Sequence, residues 1–84
     1  MIPYDFTRIA AKELLALPPE IRRRIIHKIE FFLNTGHPLD FAKRLTGTSR
    51  PSWRFQVNDY RIIFEREAEG ILITRVGHRR SIYR

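Results

Sequence analysis

Apolar and polar residues alternate strictly over Trp53-Arg54-Phe55-Gln56-Val57-Asn58, and no other feature constrains the fold as much. A period of two sends successive side chains to opposite faces of a strand, so Trp53, Phe55 and Val57 form an apolar row and Arg54 and Gln56 a wet one. Such a strand needs neighbours in a sheet and a layer over its apolar face. Asn58-Asp59 supplies a turn, residues 60–65 a second strand, Ala68-Glu69-Gly70 another turn and residues 71–76 a third strand, which predicts an antiparallel meander.

The covering layer must come from the first half of the chain. Residues 1–6 read as a short strand. After Thr7, a suitable N-cap, Ile9 or Ala10, Leu14 and Leu17 recur at helical spacing, with Lys12 and Glu13 on the wet side. Pro18-Pro19 ends that helix, and Pro19 suits the first turn of the next, where a missing N–H costs nothing. Ile21, Ile25, Ile29 and Phe32 then form an apolar stripe that Ile26 and Leu33 broaden, with Arg22, Arg23 and Arg24 mostly off it, until Gly36 and Pro38 stop the helix. Residues 38–52, with Gly47, Thr48, Ser49 and Pro51, read as a loop-rich connector. The predicted fold is α+β: an N-terminal strand, a helical hairpin and a three-stranded antiparallel meander packed on the helices, in one domain over residues 1–84.

The chain has 84 residues and no cysteine, so no disulfide, thiolate nucleophile or cysteine-based zinc site can form, and a reducing cytoplasm is a compatible location. His27, His37 and His78 lie in no metal-ligand spacing, so neither metal nor other cofactor is expected. No apolar run is long enough for a signal peptide or membrane span, which predicts a soluble protein without a membrane partner. The net charge is +7 and is uneven: residues 1–42 hold six basic and five acidic groups, residues 43–84 ten basic and four acidic. Arginine dominates the excess, and its planar fork grips phosphate bidentately, so the second half points to a polyanionic partner. A basic surface kept for solubility is the plainer alternative.

Three clusters in that half carry chemistry: the wet strand face Arg54-x-Gln56, the turn-proximal Asp59-Tyr60-Arg61, and the segment Gly77-His78-Arg79-Arg80-Ser81-Ile82-Tyr83-Arg84. In a meander the first and third strands both neighbour the second, so the clusters can converge. RNA cleavage by the RNA's own 2′-hydroxyl needs a base, an acid for the leaving 5′-oxygen, and positive charge on the phosphorane-like transition state. Arginine supplies the charge, histidine serves as acid or base, and tyrosine stacks on a splayed base. The structural alternative pairs Arg61 with Glu65, Glu67 or Asp59 and makes Tyr83 a core aromatic.

Nearly the whole chain resembles toxins of the RelE/ParE superfamily. The resemblance rests on the Leu-Pro-Pro hinge at Leu17, Leu45-Thr46-Gly47, the block Trp53-Arg54-Phe55-Gln56-Val57-Asn58-Asp59-Tyr60-Arg61-Ile62-Ile63-Phe64, and Gly77-His78-Arg79-Arg80 followed by Tyr83-Arg84. The last two blocks are most similar to the RelE branch. The resemblance implies a toxin paired with an antitoxin protein in a hetero-oligomer, and a metal-free endoribonuclease that cuts mRNA in the ribosomal A site. The alternative it implies is a ParE-like toxin that poisons DNA gyrase without cutting RNA. Carried over by motif, Arg61 corresponds to a phosphate-stabilising arginine, Arg79 to a second that assists the leaving group, and Tyr83 to a tyrosine beside the scissile nucleotide. Arg54 falls where RelE toxins carry a lysine. Gln56 falls where they carry another, implicated in proton transfer, and this is the main departure, since glutamine cannot act as a base. Either His78 or a neighbouring group takes that role, or activity is weak, or the protein has left ribonuclease chemistry behind. The expected catalytic set is Arg61, Arg79, Tyr83, His78 and Arg54. Arg54, Gln56, Arg80 and Arg84 are expected to contact RNA, and Arg22 and Arg23 to reach ribosomal RNA.

Overall fold

Thr7 turns the chain from strand to helix. In the computed structural model, which describes residues 1–82, β1 (Tyr4–Phe6) runs into this residue. Its extended backbone and its hydroxyl oxygen, which accepts from the Ala10 N–H at 3.1 Å, cap α1 (Arg8–Leu15). Pro19 then opens α2 (Pro19–Asn34), as its fixed φ and missing N–H favour. The Thr35 hydroxyl donates to the Phe32 carbonyl at 2.7 Å, and Gly36 at φ +80° leaves the helix through the left-handed region. A 3-10 turn (Pro38–Phe41), β2 (Lys43–Arg44), β3 (Trp53–Val57), β4 (Tyr60–Arg66) and β5 (Ile71–His78) follow.

The five strands form one sheet in the order β1-β5-β4-β3-β2. Its centre is the antiparallel meander that the alternation predicts, with β5 two residues longer, so that Gly77 and His78 belong to the strand. A strand has been added at each edge. β1 pairs in parallel with β5, Tyr4 opposite Ile71, and β2 pairs antiparallel with β3, Lys43 opposite Arg54. The connector at 38–52 is therefore not all loop, because two exposed basic residues form a strand without any alternation to reveal it.

One irregularity sets the facing of β5. Ile63 lies opposite Arg75 and Phe64 opposite Ile73, which leaves Thr74 as an extra residue. The bulge shifts the phase of the strand, so that Ile71 and Ile73 before it and Val76 after it are all buried.

The helices cover one face of the sheet. Phe32 of α2 meets Phe55 at 4.7 Å between ring centroids, and Phe55 stacks on Phe64 at 4.4 Å. Ile25, Ile29, Leu33, Ile62 and Ile73 close the core around them. On α1 the buried residue is Ala10, whereas Ile9 is 61% exposed. Glu13 is not on the wet side as its spacing predicts. Its carboxylate accepts from the Val76 N–H at 2.9 Å and from Arg75 Nε, at 3.1 Å to each oxygen. β1 ends before it can pair with this stretch of β5, and Glu13 satisfies the open edge instead. On the neighbouring strand the Tyr4 hydroxyl donates to Glu30 at 2.8 Å. Burial, then that bond and the Glu30 charge, push the phenol up to about 12.

Candidate functional site

The sheet face turned away from the helices carries the charged row. Arg54 and Gln56 of β3 alternate with the buried Phe55 and Val57, and across the ladder Gln56 lies opposite Arg61 and Arg61 opposite Gly77. Lys43 of β2 extends the row beside Arg54. Arg54, Gln56 and Arg61 are therefore brought together as the period-two pattern predicts.

Arg61 is the unusual member. Its Nε and Nη1 are enclosed and bond to no acceptor among the described residues. The carboxylates that could have neutralised it are engaged elsewhere or lie apart: Glu65 sits 3.5 Å from Arg50, and Asp59 sits 3.5 Å from Arg79. Two buried guanidinium nitrogens without an acceptor are costly, and a bound anion is one arrangement that would satisfy them.

The end of β5 lies beside Arg61, with Gly77 directly opposite it. After His78 the chain turns back, with the Ser81 and Ile82 N–H groups both donating to the His78 carbonyl at 3.0 Å. Ile82 is buried, and it packs on the face of Gly77 that looks toward Arg61: a methyl group placed on Gly77 would touch the Ile82 Cβ at 3.4 Å. A small residue opposite Arg61 thus leaves room for Ile82 on that side of the strand. Tyr83 and Arg84, both expected in the site, lie outside the described residues.

The turn carrying Arg79 is clamped to the β3–β4 hairpin. The Arg79 N–H donates to the Asp59 carbonyl at 2.8 Å, and Asn58, at φ 54°, shapes the hairpin tip. The Gln56 amide N–H donates to the Asn58 carbonyl at 3.1 Å, so this side chain folds onto its own turn. Arg80 is exposed on the same turn.

His78 is placed differently from the arginines. Gly77 shares the outer face with Arg61, so the pleat sends His78 to the other side, where it meets Tyr60 edge-on at 5.6 Å. Its Nδ1 accepts from the Arg80 N–H at 3.1 Å, which ties the ring to the turn. Arg22 and Arg23 are also kept from the outer face, since α2 lies on the opposite side of the sheet, and Arg22 Nη1 donates to the Leu15 carbonyl at 3.3 Å at the end of α1.

Lys43, Asp59 as the partner of Arg79, and Ile82 are the site residues that the pattern does not single out. Only Asp59 carries a signal, as the one acidic residue between Lys43 and Glu65. Among the described residues no three His, Cys, Asp or Glu side chains gather as a metal-binding group, and no helix is long and apolar enough to cross a membrane.

A helical hairpin on a β1-β5-β4-β3-β2 sheet, with arginines gathered on the bare face, defines a small toxin of the RelE/ParE superfamily. The chain belongs to the family described as the ParE toxin of the type II toxin–antitoxin system parDE, whose model matches residues 4–83. Among solved structures, it is 32% identical to a chain of the RelB–RelE antitoxin–toxin complex from Methanococcus jannaschii, covering 93% of each chain with a TM-score of 0.72. A RelB–RelE complex from Mycobacterium tuberculosis shares the fold at 24% identity and TM-score 0.76, covering 92% of this chain and 96% of that one. A chromosomal ParDE system from P. aeruginosa shares it at 16% identity and TM-score 0.66, covering 93% and 96%. No curated protein matches the chain.

Proposed function

We propose that this toxin is an endoribonuclease that cuts mRNA in the ribosomal A site and so halts translation in the cytoplasm. The observation that carries the proposal is the enclosed Arg61 guanidinium, whose Nε and Nη1 have no acceptor among the described residues on a face lined by arginine. The identity to a chain of the M. jannaschii RelB–RelE complex supports the RelE side of the superfamily.

The reaction is attack of the 2′-oxygen on phosphorus, which closes a 2′,3′-cyclic phosphate and expels the 5′-oxygen, with the 2′-hydroxyl proton leaving and a proton reaching the 5′-oxygen. Arg61 holds the charge that builds on the non-bridging oxygens, Arg79 holds it from the leaving-group side, and Tyr83 stacks beside the scissile nucleotide. Arg54, Gln56, Arg80 and Arg84 guide the RNA strand, and Arg22 and Arg23 on the opposite layer contact ribosomal RNA. Gln56 and Gly77, which face Arg61 across the ladder, hold no group that exchanges a proton. Charge and positioning by the ribosome therefore carry most of the rate, and His78 can take part only from the other side of its strand.

The partner is an antitoxin with an acidic and apolar segment. The open groove between the helices, lined by Leu14, Arg22, Arg23, Ile26, His27 and Glu30, offers it an apolar floor with cationic walls. The second reading, a gyrase poison that cuts no RNA, is favoured by the ParE description of the matching family and by Gln56 in place of lysine. Induction without the antitoxin separates the two. Translation arrest with mRNA cut at ribosome-occupied codons is expected, whereas gyrase-linked DNA breaks with translation intact would put the gyrase reading in its place.

A further inference from the structure

We propose that Asp59 acts as an internal substitute for phosphate, holding the Arg79 guanidinium in the free protein and yielding it to a phosphodiester of incoming RNA. The proposal rests on the anion-binding reading of the outer face and adds a positioning and filtering residue to it.

The geometry is that of a pair built to exchange. Asp59 Oδ1 stands 3.5 Å from Arg79 Nε, with the side chains 61% and 48% exposed. The Glu13–Arg75 bridge, by contrast, closes to 3.0 Å and uses both carboxylate oxygens. Water competes for both partners of the loose pair, so its charges can be swapped at little cost. The backbone beneath it is fixed, because the Arg79 N–H donates to the Asp59 carbonyl at 2.8 Å, and this bond survives when the carboxylate is lost. Between Lys43 and Glu65 Asp59 is the single acidic residue, and among the described residues its carboxylate is the one paired with Arg79. Arg61 has no such partner among the described residues. The two arginines are thus prepared in different ways: Arg61 by enclosure, and Arg79 by a displaceable carboxylate that keeps its fork near the phosphate path and is given up only to an anion that also engages Arg61.

The test uses a short 2′-O-methyl RNA, which binds but cannot be cleaved, with affinity measured across a salt series for the free toxin and its Asp59→Asn, Arg79→Ala and Arg61→Ala variants. Asp59→Asn keeps the size and the backbone carbonyl while removing the charge. It should bind about 3- to 5-fold more tightly at low salt, with the slope of log K against log salt steeper by about 0.7, the increment of one phosphate contact on a single strand. Arg79→Ala should abolish that gain when combined with it. Unchanged or weaker binding by Asp59→Asn, or a gain that survives Arg79→Ala, overturns the proposal while Arg61→Ala still weakens binding. If Arg61→Ala leaves RNA binding intact, the anion-binding reading itself fails. A purely structural Asp59 would change the melting temperature without steepening the salt slope.

Discussion

Replacing Arg61 by methionine should make the protein more stable and less active at once. The residue is half-buried, and two of its guanidinium nitrogens, Nε and Nη1, are buried and bond to no acceptor among the described residues. An unsatisfied buried donor costs about 1–3 kcal/mol, and more when charged. Methionine keeps most of the aliphatic length that packs between Gln56 and Gly77 and carries no donor, so roughly 1–2 kcal/mol of that penalty should be recovered. For a domain of this size about 1 kcal/mol moves the melting temperature by roughly 4–8 °C, so calorimetry should find a rise of about 4–16 °C. Single-turnover cleavage of A-site mRNA should fall by about 10²- to 10³-fold, the usual loss for one transition-state donor. Arg61→Lys should recover only part of it, since a point charge lacks the fork. A variant that melts lower than the parent would refute the reasoning, because it would mean that the guanidinium is satisfied in the folded protein. A variant that is stabilised yet fully active would leave Arg61 without a catalytic role.

Glu13→Ala removes the acceptor of the Val76 N–H and the partner of Arg75, and urea denaturation should find a loss of about 1–3 kcal/mol. The same substitution at a carboxylate free of the sheet edge, such as Glu69, should cost within about 0.5 kcal/mol. Because folding raises the Tyr4 phenol from 10.0 to about 12, its neutral form is favoured in the folded state. That stability is present below pH 10 and is lost as the pH climbs toward 12, and Tyr4→Phe should flatten the decline in a pH series of melting temperatures. His78 lies on the core side of β5, so His78→Ala should slow cleavage by less than roughly tenfold, and a loss of about 10²-fold or more would instead mark it as the proton-transfer group.

The centre of the fold was legible because its signals are local. Trp53 to Val57 alternate over one pleated strand, Thr7 and the two prolines punctuate the helices, and Gly36 closes the second. At the edges the N-terminal strand was legible but its partner was not, and β2 was not legible at all. Lys43 and Arg44 become a strand only because β3 offers them its open side, and Tyr4–Phe6 is drawn in beside a strand from the far end of the chain. Tertiary pairing, not propensity, decides such elements. The facing of residues 74–78 also depends on the bulge at Thr74, which no period announces. The sequence pattern brought Arg54, Gln56 and Arg61 to one face correctly. It could not say that His78 turns away from them, or that Asp59 attends Arg79 rather than Arg61.

The parallel pairing of β1 with β5 has a consequence for synthesis. Thr7 and Thr74, which bond to one another where these strands meet, are 67 residues apart, so the sheet cannot close from local contacts alone. A chain made from its amino end acquires its helices early but must wait for β5, and with it Gly77 and Ile82, before Arg61 is enclosed. A shorter chain, including any fragment released by a premature stop before β5, lacks the strand that carries Gly77 and so lacks the assembled site, and on the proposed ribonuclease reading it should leave translation untouched. On that reading toxicity begins only once β5 is in place, and an antitoxin has until that moment to be at hand.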